Sequence, residues 1–147
     1  MSSCFPDTNV WLALLLADHI HRPQAVNWWN EDESESIVFC RLTQIGVLRL
    51  LTTAPAMNGR PLSMNQAWNA YDRLFADPRV VFLSEPVALD REFRSKSSGR
   101  TSSPKLWTDA WLSAFASTAG LTLVTFDKTL AGRTLGAHLL ATGTTPL

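Results

Sequence analysis

Three aspartates stand out by where they fall against the apolar runs of the chain. Asp7 follows Cys4-Phe5-Pro6 and precedes the apolar run 10–17, Asp127 follows the run 121–126, and Asp109 lies early in an apolar segment containing Leu106, Trp107, Ala110, Trp111, Ala114 and Phe115. A short apolar entry, a small polar turn and then a strongly apolar segment reads as strand, turn, helix. That switch puts Asp7 at the carboxyl end of a first strand, where open α/β sheets place their ligands, and Asp127 repeats the logic. An acid held there takes a cation, a proton or a partner. Each has a local explanation as well: Asp-Thr-Asn is a good turn, Thr8 and Asn9 suit a helix cap, Asp109 complements a helix dipole, and Asp127 is a turn residue before Lys128-Thr129. Convergence of all three on one rim would go beyond those explanations. Several carboxylates together offer hard oxygen ligands to a divalent cation.

The elements that must position these acids follow from periodicity and punctuation. A first helix is expected over 9–17, and a second opens at Pro23 and carries Val26, Trp28 and Trp29. Residues 30–36 read as an acidic, solvated loop, and His19-Ile20-His21 as another, since no further ligand stands at metal spacing. The run 37–40 is a strand buried on both faces. A helix through Leu42, Ile45, Val47, Leu48, Leu50 and Leu51 follows, then a Pro- and Gly-punctuated loop over 54–62. Ser63 caps a helix bearing Ala67, Trp68, Tyr71, Leu74 and Phe75. A third strand is expected over 80–83 and a helix after Pro86 with Leu89 and Phe93. Residues 95–103 read as an exposed basic, Ser-rich loop. Ser103-Pro104 opens the helix that carries Asp109, Gly120 ends it, the strand 121–126 follows, and 138–141 forms a last short strand. Strands alternating with helices imply a central parallel sheet covered on both faces, an α/β fold of three layers, α/β/α. Nothing splits the chain, so residues 1–147 read as a single domain.

With 46% hydrophobic and 18% charged residues, the 147-residue chain is rich enough in apolar side chains to exclude disorder. Its formal net charge of zero excludes an overtly basic nucleic-acid binder. Any nucleic-acid site must come from local clustering or a bound metal. No leader peptide and no membrane span are expected, which points to a cytoplasmic protein. Cys4 and Cys40 read as two buried, reduced thiols.

Asp7-Thr8-Asn9, then Trp107-Thr108-Asp109-Ala110-Trp111-Leu112, then Val124-Thr125-Phe126-Asp127 resemble the signature of the PIN-domain nucleases over nearly the whole chain. The order and the small flanking residues are most similar to the VapC toxins of bacterial VapBC toxin–antitoxin pairs, including their mycobacterial branch. The resemblance implies a magnesium- or manganese-dependent ribonuclease, a homodimer, acting on tRNA or ribosomal RNA and held inactive by a cognate VapB antitoxin. It casts Asp7, Asp109 and Asp127 as direct or water-mediated metal ligands, with Thr125 and Asn9 orienting ligands or waters behind them. A bound cation lowers the pKa of its water and offsets charge developing on a scissile phosphate, so no covalent protein nucleophile is needed. One position departs from the family pattern. Where PIN nucleases carry a further acid on the helix after the second strand, this chain offers Gln44. An amide keeps the shape and one acceptor oxygen but drops a full charge. Gln44 is therefore expected either to orient a metal-bound water, with weaker hold on a second metal, or to bond local backbone.

Arg94, Lys96 and Arg100, in or near the Ser-rich loop, and Lys105, four residues before Asp109, form a candidate grip on the RNA backbone; a solvated basic loop and a Lys105–Asp109 surface pair are the alternatives. Trp11, Trp68, Trp107 and Trp111 fall among apolar helix neighbours and are expected in the core or an interface. Trp28 and Trp29 cannot face one way, so one is peripheral. Two further readings stay open. Haloacid-dehalogenase-like phosphotransfer would want a second Asp where Asn9 stands, and a receiver domain would want paired acids before its first loop. A catalytically silent PIN scaffold used for binding is the other.

Overall fold

The computed structural model describes residues 2–142. Strands β1 (Ser3–Pro6), β2 (Ser36–Phe39), β3 (Val80–Phe82), β4 (Thr122–Thr125) and β5 (His138–Leu139) form one sheet in the order β3-β2-β1-β4-β5. Every pairing in it is parallel, with Cys4 opposite Ile37 on one side of β1 and opposite Thr122 on the other. Helices α1 (Thr8–Leu15), α2 (Arg22–Glu31), α3 (Arg41–Leu51), α4 (Met64–Leu74), α5 (Leu89–Lys96), α6 (Leu106–Ala119) and α7 (Lys128–Gly132) connect them, with a 3₁₀ turn over Pro55–Met57. This is the three-layer α/β fold expected.

Alternation along the strands separates two cores. Cys4, Ile37, Phe39, Val80 and Val124 face one side and pack against α1, α2, α3 and α4, through Trp11, Trp28, Val47, Leu51 and Tyr71 among others. Phe5, Val38 and Leu123 face the other and meet Leu89 of α5, Leu112 and Phe115 of α6, and Leu130 of α7. Side chains of period two leave no third choice: a strand buried on both faces must be apolar throughout. Trp11 lies flat on Phe39, ring centroids 3.9 Å apart, and Phe5 meets Phe115 at 4.8 Å. Helix α3 comes so close to α1 that a Cβ on Gly46 would stand 2.6 Å from Thr8 Oγ1, so a side chain at 46 would disturb the residue beside Asp7. Cys4 and Cys40 are buried free thiols. No helix among the described residues is long and apolar enough to cross a membrane.

Several boundaries differ from expectation. The cap of α1 is Asp7 itself, whose carboxylate accepts from the Val10 N–H, so Thr8 and Asn9 lie inside the helix. Helix α5 runs to Lys96, taking Arg94 and Lys96 out of the loop, and α6 starts at Leu106, because Ser103 and Pro104 form a turn before it. Helix α2 continues to Glu31, and Asp32 after it meets Arg79, which reaches back from the start of β3. The His19–His21 segment is a loop with Ile20 exposed, but it is not wholly solvated: the half-buried His21 ring lies 4.8 Å from that of Phe126. Ser63 caps α4 as anticipated, in a reciprocal box with Gln66.

Candidate active site

The chain winds from β1 outward to β2 and β3, then returns across the sheet to β4 on the other side of β1. That reversal opens a crevice beyond the carboxyl ends of β1 and β4, the place where doubly wound sheets bind ligands. Asp7 ends one of these strands and Asp127 follows the other.

The two acids are tied together by Thr125. Its hydroxyl donates to Asp7 Oδ2 and accepts the Asp127 N–H at 3.0 Å. Asp7 Oδ1 accepts from the Val10 N–H at 3.3 Å. Asp127 caps α7, its Oδ1 accepting from the N–H groups of Thr129 at 2.8 Å and Leu130 at 3.2 Å. Asp127 is exposed, whereas Asp7 is 7% exposed and Thr125 fully buried. Burial pushes the Asp7 carboxyl up to about 6; hydrogen bonds from Thr125, Val10 and the Asn9 backbone resist this, and the negative charge of Asp127 adds to it. Asp109, half-buried in the first turn of α6, is also raised, by burial and then by Asp127, with Arg133 pulling the other way. Asp127 thus stands within electrostatic reach of both other acids. Burial first, and then the charge of Asp127, make ionisation of Asp7 and Asp109 less favourable, a cost that a cation placed among the three carboxylates would offset.

Among the described residues no three His, Cys, Asp or Glu side chains stand close enough to grip an ion unaided. The donor set is that of an open site. Asp127 Oδ2 and the Asp109 carboxylate take no hydrogen bond from any described residue. Hard oxygens on an open rim fit a magnesium or manganese ion, which takes one or two carboxylates and keeps water and phosphate for the rest of its shell.

Gln44 is buried on α3, but its Oε1 is turned to Arg41, accepting from Nη1 at 2.5 Å, and its side chain also meets the Tyr71 phenol. The Arg41 guanidinium in turn lies 4.8 Å over the Phe82 ring. Asn9 reaches Asp7 through its backbone, while its side chain is exposed. Arg94 and Lys96 pair within α5 with Asp90 at 2.8 Å and Glu92 at 3.6 Å. Lys105 and Arg100 are exposed and make no salt bridge to a described residue, so the Lys105–Asp109 pair, the alternative to a phosphate contact, is not formed. Trp107 is 60% exposed and Trp68 43%, so of the core or interface positions expected for them the core is ruled out; a helix shows three or four apolar positions per two turns to the core, and these two fall outside that stripe. Trp28 is buried and Trp29 half-buried.

Arg133 was not anticipated. It caps the five-residue helix α7, too short for a periodic pattern to place it, and no local signal in the sequence marks it. Trp107 lies between two cavities of about 630 Å³ each, one apolar and lined by Arg41, Leu42 and Phe82, the other lined by the loop before α6 and by Arg133.

A doubly wound parallel sheet with acids at the ends of its two switch-point strands defines an α/β domain that works at its carboxyl rim. The PIN domain matches residues 4–133. Ribonuclease VapC41 of Mycobacterium tuberculosis is 40% identical over 126 residues, covering 82% of this chain and 86% of its own. Ribonuclease VapC44 of the same organism is 32% identical, covering 85% and 86%. Among solved structures, M. tuberculosis VapC20, a sarcin-ricin loop cleaving toxin, superposes with a TM-score of 0.63 at 16% identity, over 93% of this chain and 99% of its own. PAE2754 of Pyrobaculum aerophilum does so with a TM-score of 0.58 at 22% identity, over 93% and 83%. The chain belongs to the PIN-domain family, in its VapC group.

Proposed function

We propose that this protein is a metal-dependent endoribonuclease, the toxin of a VapBC-type pair, hydrolysing phosphodiester bonds in tRNA or ribosomal RNA. The observation that carries the reading is the Asp7–Thr125–Asp127 chain of hydrogen bonds across the switch point. Family membership and 40% identity to a named ribonuclease support it.

Asp7, Asp127 and Asp109 would hold a magnesium or manganese ion, which supplies an activated water and offsets charge on the scissile phosphate. Thr125 fixes the Asp7 carboxylate and, through the Asp127 N–H, the start of α7. Asp7 exchanges its proton near pH 6, so it is ionised and able to take a cation at neutral pH. Gln44 holds Arg41, and in this reading only its remaining lone pair is free to orient a water. Arg100 and Lys105 contact RNA phosphates; Arg94 and Lys96, already paired, contribute less. A VapB-type antitoxin, a homodimeric state and a cytoplasmic location belong to the same reading, supported by the resemblance to VapC toxins.

Incubating purified protein with bulk bacterial RNA tests it. Cleavage is expected with Mg²⁺ or Mn²⁺, and none with EDTA or in Asp7→Asn. Cleavage that survives both chelation and the substitution overturns the mechanism; no cleavage by the wild-type chain with either metal overturns the function.

A further inference from the structure

We infer that Trp107, Arg133 and the loop between α5 and α6 form a nucleotide subsite beside the carboxylate rim, with one base of single-stranded RNA stacked on the indole and its phosphate on the guanidinium. This rests on the ribonuclease reading and extends it to where the strand lies.

The first ground is Trp107. Its indole is 60% exposed, yet it is not loose: the Phe93 ring meets it edge-on, centroids 6.3 Å apart at 70°. A large, exposed, braced aromatic face two residues before Asp109 offers a stacking platform with little reorganisation. The second is Arg133. Its carbonyl accepts from Ser113 Oγ at 3.0 Å, and Ser113 lies one helical turn after Asp109 on α6. The anchor pins the end of α7 to the helix that carries Asp109 and Trp107. Arg133 makes no salt bridge to any described residue, while its charge is felt at Asp109. One short helix, α7, therefore carries an acid of the rim at its start and, at its end, a cation that makes no close ion pair with a described residue.

The third ground is the cavity between them. Its volume, about 630 Å³, suits a nucleotide, and no acid lines it. Thr101, Ser102 and Ser103 bring hydroxyls that make no hydrogen bond to described residues, and they line the same cavity as Arg133. Hydroxyl donors and an arginine are phosphate and sugar contacts; an exposed indole is a base contact. In a chain of zero net charge, affinity for a polyanion comes from such a local arrangement or from a bound metal. A protein partner is less favoured here, because this cavity is more polar than the largely apolar one that Trp107 also lines.

The test uses the full chain carrying Asp7→Asn, with fluorescein-labelled A12 and U12 oligoribonucleotides read by anisotropy. Trp107→Ala is expected to weaken A12 binding about 5- to 150-fold, the equivalent of one stacked base, and to erase a preference for A12 over U12. Trp107→Phe keeps most of both. Arg133→Ala is expected to lower the slope of log affinity against log salt by about 0.7, one phosphate contact on a single strand. Unchanged melting curves show that either variant is folded. Unaltered affinity, preference and salt slope in folded Trp107→Ala and Arg133→Ala overturn the subsite, as does failure to bind either oligomer by a chain whose Asp7 form cleaves bulk RNA. A change in oligomeric mass in Trp107→Ala with no change in RNA affinity makes this a protein contact and overturns it too. Absence of both binding and cleavage overturns the ribonuclease reading itself.

Discussion

Asp7 and Asp127 begin from the same local design and end in different surroundings. Each follows a parallel strand, each has extended backbone, and each caps the helix that comes next. Asp7 is nonetheless buried, with its proton affinity raised, while Asp127 sits in the open. The difference lies in the layers. Strand β1 is the middle strand, and the end of it is covered by α1 and the closely packed α3. Strand β4 is followed by a five-residue helix at the flank of the sheet, which covers much less. One strand-turn-helix motif thus yields a poised acid at one end of the site and a solvated one at the other.

Replacing the two acids in turn breaks the comparison most sharply. Asp7→Asn and Asp127→Asn are each expected to lower ribonuclease activity more than about 100-fold, through loss of a ligand of the proposed metal ion. Their stabilities should part. Folded Asp7 holds its proton up to about pH 6 against an ordinary value of 3.8, so between those values the folded chain binds more protons than the unfolded one. Stability then falls as pH rises through that window, and the cost, about 2–3 kcal/mol, is fully present above it. In metal-free buffer at pH 8, Asp7→Asn should melt roughly 5 °C above wild type, the gap closing toward pH 4. Asp127→Asn should melt within a degree or two of wild type at either pH, since Asn caps a helix as well as Asp does. Equal melting curves for Asp7→Asn and wild type at pH 8 would show that the folded chain does not disfavour the charge.

Thr125→Val sharpens the link between the two acids. It removes the donor to Asp7 and the acceptor of the Asp127 N–H, so the Asp7 carboxyl should rise further and the acid limb of the pH–rate profile should move upward. A 10- to 100-fold loss at neutral pH is expected. Thr125→Ser should restore the limb, which a mere packing role would not do. Gln44→Glu should have the smallest effect. The new carboxylate would face Arg41, whose guanidinium already stands 2.5 Å from Oε1, so manganese affinity by calorimetry should rise less than about tenfold. A larger rise would show that position 44 acts on the cation directly.

The order of elements was legible because apolar runs end at caps and breakers: Ser63, Gly120 and the strands before Asp7 and Asp127 all stand where sequence reasoning puts them. That Asp7 and Asp127 stand at the ends of parallel strands followed from the alternation of strand and helix. What stayed hidden depends on faces and layers. Nothing in Asp7-Thr8-Asn9 says which residue caps, since all three have the chemistry. Trp107 shares its apolar neighbourhood with Trp111, yet it is exposed while Trp111 is half-buried and stacked on Phe115. Arg133 earned no notice because its position is set by Ser113, twenty residues away.

The hydrogen bond from Thr125 to Asp7 spans 118 positions of the chain. Half the site is made first during synthesis and must wait for the fourth strand to slot in beside the first. A ribosome that stalls or terminates anywhere before that strand releases a fragment with one acid and no counterpart. The two halves of the rim are thus joined only once nearly the whole chain has been made.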